Sequence, residues 1–107
     1  PVLLNETNQE SNNIYAEALL KTIGKAQSPD NNDATTAGIA GVKTILTGLG
    51  VDPNQYTMVD GSGLASNNRA TAESFVQTLQ AMAGISESKV YRASLPIAGT
   101  SGTLRSR

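Results

Sequence analysis

Apolar residues recur along this chain at intervals of three and four, so most of it is predicted to be helical. Ile14, Tyr15, Ala18, Leu19 and Ile23 set the first periodic stretch, which predicts a helix over residues 9–23 ended by Gly24. Residues 27–36 have no periodicity and are rich in turn formers, which predicts a surface loop, with Thr35 or Thr36 placed to cap the next helix. Ile39, Val42, Ile45, Leu46 and Leu49 make the apolar face of that second helix, which Gly50 stops. Within it, Gly38, Gly41 and Gly48 lower helix propensity but permit a neighbour to approach closely. A third helix begins near Thr71, holds Glu73 in its first turn, and carries Phe75, Val76, Leu79 and Met82 as far as Gly84.

The remaining segments are short. Asp52-Pro53-Asn54 is turn chemistry, and Tyr56-Thr57-Met58-Val59 is a β-prone run with no obvious partner. Asp60-Gly61-Ser62-Gly63 forces a tight turn that presents Leu64 from a bend. Beyond Gly84 the periodicity fades. Val90-Tyr91 and Leu95-Pro96-Ile97-Ala98-Gly99 read as extended pieces lacking partners, followed by a polar tail. The pattern thus predicts a mainly α unit of three helices with one or two short extended segments.

At 107 residues the chain is one packing unit. It is 38% hydrophobic and 16% charged with a net charge of −1, a soluble, globular composition with no general electrostatic pull toward nucleic acid. There is no cysteine and no histidine. That composition removes disulfides, thiol nucleophiles, zinc fingers, His-ligated metals and any Ser-His-Asp triad built within these residues. Residues 1–10 lack the basic and apolar regions of a signal peptide, and no apolar stretch approaches about 18 residues, so no membrane span is expected.

Candidate chemistry centres on Ser11-Asn12-Asn13. At a helix start, Ser11 reads first as a cap for orphan backbone amides. In the functional alternative Ser11 and Asn13 face a cleft, supplying a hydroxyl relay and a carboxamide that pairs with a substrate amide. Ser86-Glu87-Ser88-Lys89 matches S-x-x-K, which sets a serine hydroxyl beside a lysine amine one helical turn away. It follows a helix-ending glycine in a weakly periodic stretch, and is read as a chance match. Lys43-Thr44 would begin a K-T-G, but Ile45 stands in the glycine's place. Asp30-Asn31-Asn32-Asp33 lacks the glycine and distal glutamate of a calcium loop. Ser62, between two glycines, does not fit G-x-S-x-G, and the basic end at Arg105 and Arg107 reads as a solvated terminus. No metal or cofactor is expected.

Four blocks together carry a resemblance: Glu10-Ser11-Asn12-Asn13-Ile14-Tyr15-Ala16-Glu17-Ala18-Leu19-Leu20-Lys21, Asp60-Gly61-Ser62-Gly63-Leu64, Leu95-Pro96-Ile97-Ala98-Gly99, and Gly102-Thr103-Leu104-Arg105. In this order they resemble the class C low-molecular-mass penicillin-binding proteins, secreted serine D-alanyl-D-alanine carboxypeptidases and endopeptidases. Their blocks read roughly S-N-N-x-x-A-E-x-L-L, D-G-S-G-L-S-R and L-P-x-A-G-x-x-G-T-L. The resemblance covers essentially all of this chain but a minority of a family protein. An unrelated three-helix domain would have to produce all four blocks by accident.

The resemblance implies a fragment of the penicillin-binding protein and serine β-lactamase-like α/β catalytic domain. The family needs S-x-x-K, S-x-N and K-T-G in chain order, and Ser11 with Asn13 would be the middle element. The nucleophile and its lysine would then lie before residue 1, the K-T-G strand after residue 107, and Ser86 to Lys89 falls in the wrong order. By the same resemblance Ser11 would relay a proton and Asn13 would hold the substrate's backbone amide, while Ser62 and Leu64 would border the pocket for the stem-peptide side chain. The implied partners are peptidoglycan stem peptides and β-lactams, the implied place is extracytoplasmic, and this stretch alone is expected to be inactive. Where the family continues Ser-Arg after the leucine, this chain has Ala65-Ser66, and Arg69 is the nearest replacement cation. A helical piece cut from its sheet is also expected to self-associate. A second reading, of a different class, is a non-catalytic cell-wall-binding or interaction module derived from that fold.

Overall fold

A polar break at residues 10–12 separates the helix that the periodicity predicts from an earlier one that it does not. The computed structural model describes residues 1–106. Its order is α1 (Val2–Gln9), α2 (Asn13–Gln27), α3 (Ala34–Gly48), β1 (Tyr56–Thr57), β2 (Arg69–Ala70), α4 (Ala72–Ala83) and α5 (Ser88–Ser94), with 3-10 turns at Pro53–Gln55 and Gly102–Leu104. The fold is mainly α as expected, with five α-helices among the described residues in place of three. The two extra helices, α1 and α5, bind each other through polar side chains, so neither shows an apolar stripe. Asn8 Nδ2 donates to Ser94 Oγ at 2.8 Å and Gln9 Nε2 to the Ala93 carbonyl at 3.2 Å. Ser94, fully buried, also donates to the Tyr91 carbonyl. Val90 and Tyr91 are therefore helical, not extended.

Helices α2 and α3 form the tightest pair. Gly24 does not end α2: it is buried within the last turn, which closes at Gln27, and a Cβ there would lie 1.9 Å from the Ala34 carbonyl oxygen. A Cβ on Gly38 would meet the Leu20 carbonyl oxygen at 2.2 Å. These glycines bring two helix backbones into contact, with Leu20 and Ala37 buried beside them. Gly41 packs on Ile23 and Gln27, whereas Gly48 faces open space. The buried stripe of α3 is thus its small residues, while Ile45 and Leu49 on the expected apolar face stay exposed. Asp33, not Thr35 or Thr36, caps α3, accepting from the Thr36 amide at 3.0 Å and the Thr36 hydroxyl at 2.7 Å.

The β-prone run finds its partner beyond the loop of residues 58–68, in a two-stranded antiparallel ladder pairing Tyr56 with Ala70 and Thr57 with Arg69. Helix α4 begins near Thr71 and ends at Gly84 as expected, with Thr71 as its cap, accepting from the Ser74 amide. The L-P-I-A-G block is not an extended piece awaiting a partner, and the G-T-L-R block packs with it. They fold into a compact turn in which the Gly99 amide donates to the Leu104 carbonyl at 2.8 Å and the Ile97 amide to Ser101 Oγ at 3.0 Å. Gly102, at φ 61°, packs against α1, where a Cβ would sit 2.3 Å from the Gln9 carbonyl oxygen. Arg105 reaches Glu10 at 3.6 Å, an exposed pair of small energetic weight. This turn and α5 together brace α1 up to the break at residues 10–12. Among the described residues no helix is long and apolar enough to cross a membrane.

Candidate functional site

The break is closed by Asn12. Its backbone amide donates to the Thr7 carbonyl at 3.1 Å, and its side chain caps α2 by accepting from the Tyr15 amide at 3.0 Å. The capping role expected for Ser11 thus falls one residue later. Ser11 is left exposed at φ 55°, the one non-glycine residue at positive φ among those described, a conformation that costs an L-residue about 1–2 kcal/mol. Among the described residues neither the Ser11 hydroxyl nor the Asn13 carboxamide makes a hydrogen bond within the chain. Asn13 is the first residue of α2, and Glu17 and Lys21 follow it on the same face at four-residue intervals.

Against that face lies the loop of residues 60–64, carried by the turn between β1 and β2. Two side chains hold it together. The Asp60 carboxylate accepts from the Gly63 amide (2.8 Å), the Ala65 amide (2.8 Å) and Asn68 Nδ2 (2.9 Å). Those donors, the Asn68 amide foremost, hold the Asp60 carboxyl below the usual carboxylate range. Asn68 Oδ1 in turn accepts from the Val59 amide at 2.7 Å. Ser62 Oγ accepts from the Leu64 amide at 3.3 Å, shaping the bend from which Leu64 projects. Gly61 lies directly on α2, where a Cβ would be 2.8 Å from the Ala16 carbonyl oxygen. One Glu17 carboxylate oxygen then joins loop to helix, accepting from the Gly61 amide at 2.8 Å and the Ser62 amide at 2.9 Å.

Helix and loop border a shallow, open cleft of about 380 Å³ lined by Asn13, Glu17, Lys21, Ser62 and Leu64 with the apolar Ile14 and Ala18. Three of the four residues singled out from the sequence, Asn13, Ser62 and Leu64, thus meet in one cleft. Ser11 stands outside that lining, on the turn that leads into Asn13. Arg69 does not reach the cleft. Its Nη1 donates to the Ser66 carbonyl and, at 2.9 Å, to the Asn68 carbonyl, and it lines a larger cavity of about 520 Å³ on the other side of the loop. That cavity is walled by Tyr56, Met58 and Phe75; the Tyr56 hydroxyl is buried without a partner among the described residues, and burial raises its pKa above the usual phenol value.

The chance matches stay apart from this site. Ser86 lies exposed in the turn before α5 and Lys89 points from the first turn of that helix, with no hydrogen bond between them among the described residues. Asp33 and Asn31 serve the start of α3, Asn31 Oδ1 accepting from the Asp33 amide at 2.8 Å. Among the described residues no cluster of acidic side chains has metal-binding geometry. The residues that sequence reasoning passed over are Glu17, Asp60 and Asn68. Glu17 could have been found: it sits inside the first motif block, one helical turn after Asn13.

These features define a class, and comparison identifies it. The chain belongs to the D-Ala-D-Ala carboxypeptidase 3 (S13) family, whose sequence profile matches residues 1–107. It is 40% identical over 102 residues to the D-alanyl-D-alanine carboxypeptidase of Actinomadura sp. (strain R39), a match covering 91% of this chain and 19% of that protein. The penicillin-sensitive carboxypeptidase A of Dictyostelium discoideum is 36% identical over 107 residues, or 98% of this chain and 20% of that one. The fold superposes on the crystal structure of penicillin binding protein 4 from Haemophilus influenzae complexed with a β-lactam, with a TM-score of 0.90 and 26% identity. That superposition covers 100% of this chain and 24% of the Haemophilus chain. The chain therefore spans about a fifth to a quarter of the length of these relatives. The family expected from the four motif blocks and the mainly α fragment of its fold are both borne out.

Proposed function

We propose that residues 1–107 are one internal part of the catalytic domain of a serine D-alanyl-D-alanine carboxypeptidase or endopeptidase, the part that carries S-x-N. The acylating serine with its lysine, and the K-T-G strand, belong to parts of the parent protein outside these residues. In the reaction the serine attacks the D-Ala-D-Ala carbonyl and the peptide C–N bond breaks. Ser11 passes the serine's proton, by way of the lysine, to the departing amine of D-alanine. Asn13 holds the backbone amide of the stem peptide so that the carbonyl is aligned for attack. Water then cleaves the acyl-enzyme, and a β-lactam acylates the same serine. Ser62 and Leu64 border the space for the stem side chain. Peptidoglycan as substrate places the parent outside the cytoplasm, in the periplasm or cell envelope.

One observation carries this reading: Asn12 takes over the cap, so a strained serine and the first residue of α2 present, among the described residues, a hydroxyl and a carboxamide without partners beside a cleft. Strained backbone concentrates at functional sites. Fluorescent-penicillin labelling of the full-length parent, of its S11A and N13A variants and of residues 1–107 alone is the test. Rapid labelling of the parent, labelling slowed at least about 100-fold in both variants, and none of the 107-residue chain is the expected result. Labelling of the short chain, or unchanged rates in both variants, would refute it.

A further inference from the structure

We infer that Glu17 is a positioning residue that fixes the distance between Asn13 and the Ser62–Leu64 wall of the cleft, and so selects for the stem-peptide side chain. The inference rests on the reading above that this cleft receives substrate. Glu17 lies one helical turn from Asn13 on a rigid helix, and its carboxylate takes two successive backbone amides of the opposing wall, at 2.8 and 2.9 Å. An anion in such a pair of converging N–H groups makes short, charge-assisted hydrogen bonds. The contact spans 44 and 45 residues of sequence, so it couples elements that the chain itself does not hold in register.

The other ties on the loop act within it. Asp60 and Asn68 bond residues 59 to 68, and fix the loop's shape without fixing its place relative to α2. The Gly61 backbone touches Ala16, a contact that sets a minimum separation and adds only weak, non-directional dispersion attraction. Glu17 supplies the attraction that holds the wall against this stop. Removing it leaves two half-buried amides without an acceptor and frees the wall to draw back. A displacement of about 1 Å in a positioning element is enough to cost about 100-fold in rate.

The test uses the full-length parent and two acetylated tripeptides ending in D-Ala-D-Ala, one with lysine and one with alanine at the residue before them. The E17A variant is expected to lose kcat/KM for the lysine peptide by about tenfold more than for the alanine peptide. The E17Q variant, whose amide oxygen still accepts both N–H groups, is expected to recover most of that loss. Equal losses for the two peptides in E17A would show a merely structural role and overturn the inference, as would full activity in E17A. Should E17A not fold, G61A puts a Cβ against Ala16 and pushes the wall outward with Glu17 intact; it must shift the same peptide ratio, and an unchanged ratio overturns the inference. N13A separates the two levels: if N13A is inactive while E17A keeps the wild-type peptide ratio, only the Glu17 role fails, whereas wild-type activity in N13A removes the substrate cleft and the inference with it.

Discussion

Asn68 and Asp60 satisfy each other across the base of the loop: Asn68 Nδ2 donates to Asp60 Oδ1 at 2.9 Å, while the Asn68 side-chain oxygen accepts from the amides of Val59 and Asp60. The Asp60 carboxylate collects two more backbone amides, so it is an internal anion cap for a turn that has no regular ladder of its own. Its charge is therefore part of the fold.

That arrangement predicts an acid sensitivity. The folded-state pKa of Asp60 is depressed, first by Asn68 and then by the backbone amides, and that of Asp33 is depressed mainly by the amide and hydroxyl of Thr36. A carboxyl with a lowered folded pKa stabilises the fold fully above its unfolded value of about 3.9 and loses that contribution as pH falls through the folded pKa. Melting temperatures of wild type and D60N, measured from pH 7 down to pH 2, should be separated at neutral pH, with wild type higher, and converge below about pH 4. Curves that stay parallel throughout would remove Asp60 from the account.

Glycines along the α2–α3 pair give a graded series. Gly24→Ala and Gly38→Ala each place a methyl group within 2.2 Å or less of a backbone carbonyl oxygen of the other helix, which no rotamer change can relieve. Each should cost about 3 kcal/mol or more in urea unfolding. Gly48, with nothing within 4 Å of its virtual Cβ, is the internal control. Gly48→Ala should stabilise by about 0.5–1 kcal/mol, the helix-propensity difference. A Gly24→Ala protein as stable as wild type would show that the two helices are not in backbone contact.

Some elements are legible in the sequence and others are not, for physical reasons. Helices α2, α3 and α4 announce themselves because an apolar period marks their faces, and Thr71 and Gly84 bracket α4 with ordinary cap chemistry. Helices α1 and α5 do not, because Asn8, Gln9 and Ser94 join them through hydrogen bonds, and polar contacts leave no periodic trace. Gly24 was legible only as a stop, since a glycine needed for a neighbouring backbone looks the same in one dimension as a glycine that ends a helix. In the candidate site, Asn13, Ser62 and Leu64 could be named from motif blocks, yet their common cleft depends on Glu17, whose partners are far away along the chain. Arg69 is the reverse case: in sequence it is the nearest replacement for the family arginine, but the fold turns its Nη1 back onto the Ser66 and Asn68 carbonyls.

Large apolar side chains remain uncovered on this stretch. Ile14 is 78% exposed, Leu64 74% and Phe75 63%, and Val76 and Leu79 continue the Phe75 face along α4. Each such side chain gains about 1.5–3 kcal/mol on full burial, enough to drive association when several share one face. Residues 1–107 produced alone should form dimers or larger species in sedimentation at micromolar concentration. F75E combined with L79E should shift the distribution toward monomer. A strictly monomeric wild-type chain, well ordered at that concentration, would count against this expectation.

Ser11 offers the sharpest test, because its backbone and its hydroxyl make separable demands. At φ 55° a side chain of any L-residue is strained, by about 1–2 kcal/mol, whereas glycine adopts that geometry freely. S11A keeps the strain and deletes the hydroxyl; S11G deletes both. If the chain keeps serine here for chemistry rather than stability, both variants of the parent should lose penicillin labelling, while S11G unfolds at higher urea than S11A, by about 0.5–1 kcal/mol after the extra unfolded-state entropy of glycine is counted. Equal stability of the two would mean that residue 11 is unstrained in solution. Retained labelling in both would mean that the hydroxyl relays nothing, and the strained turn would then have to be explained by the α1–α2 connection alone.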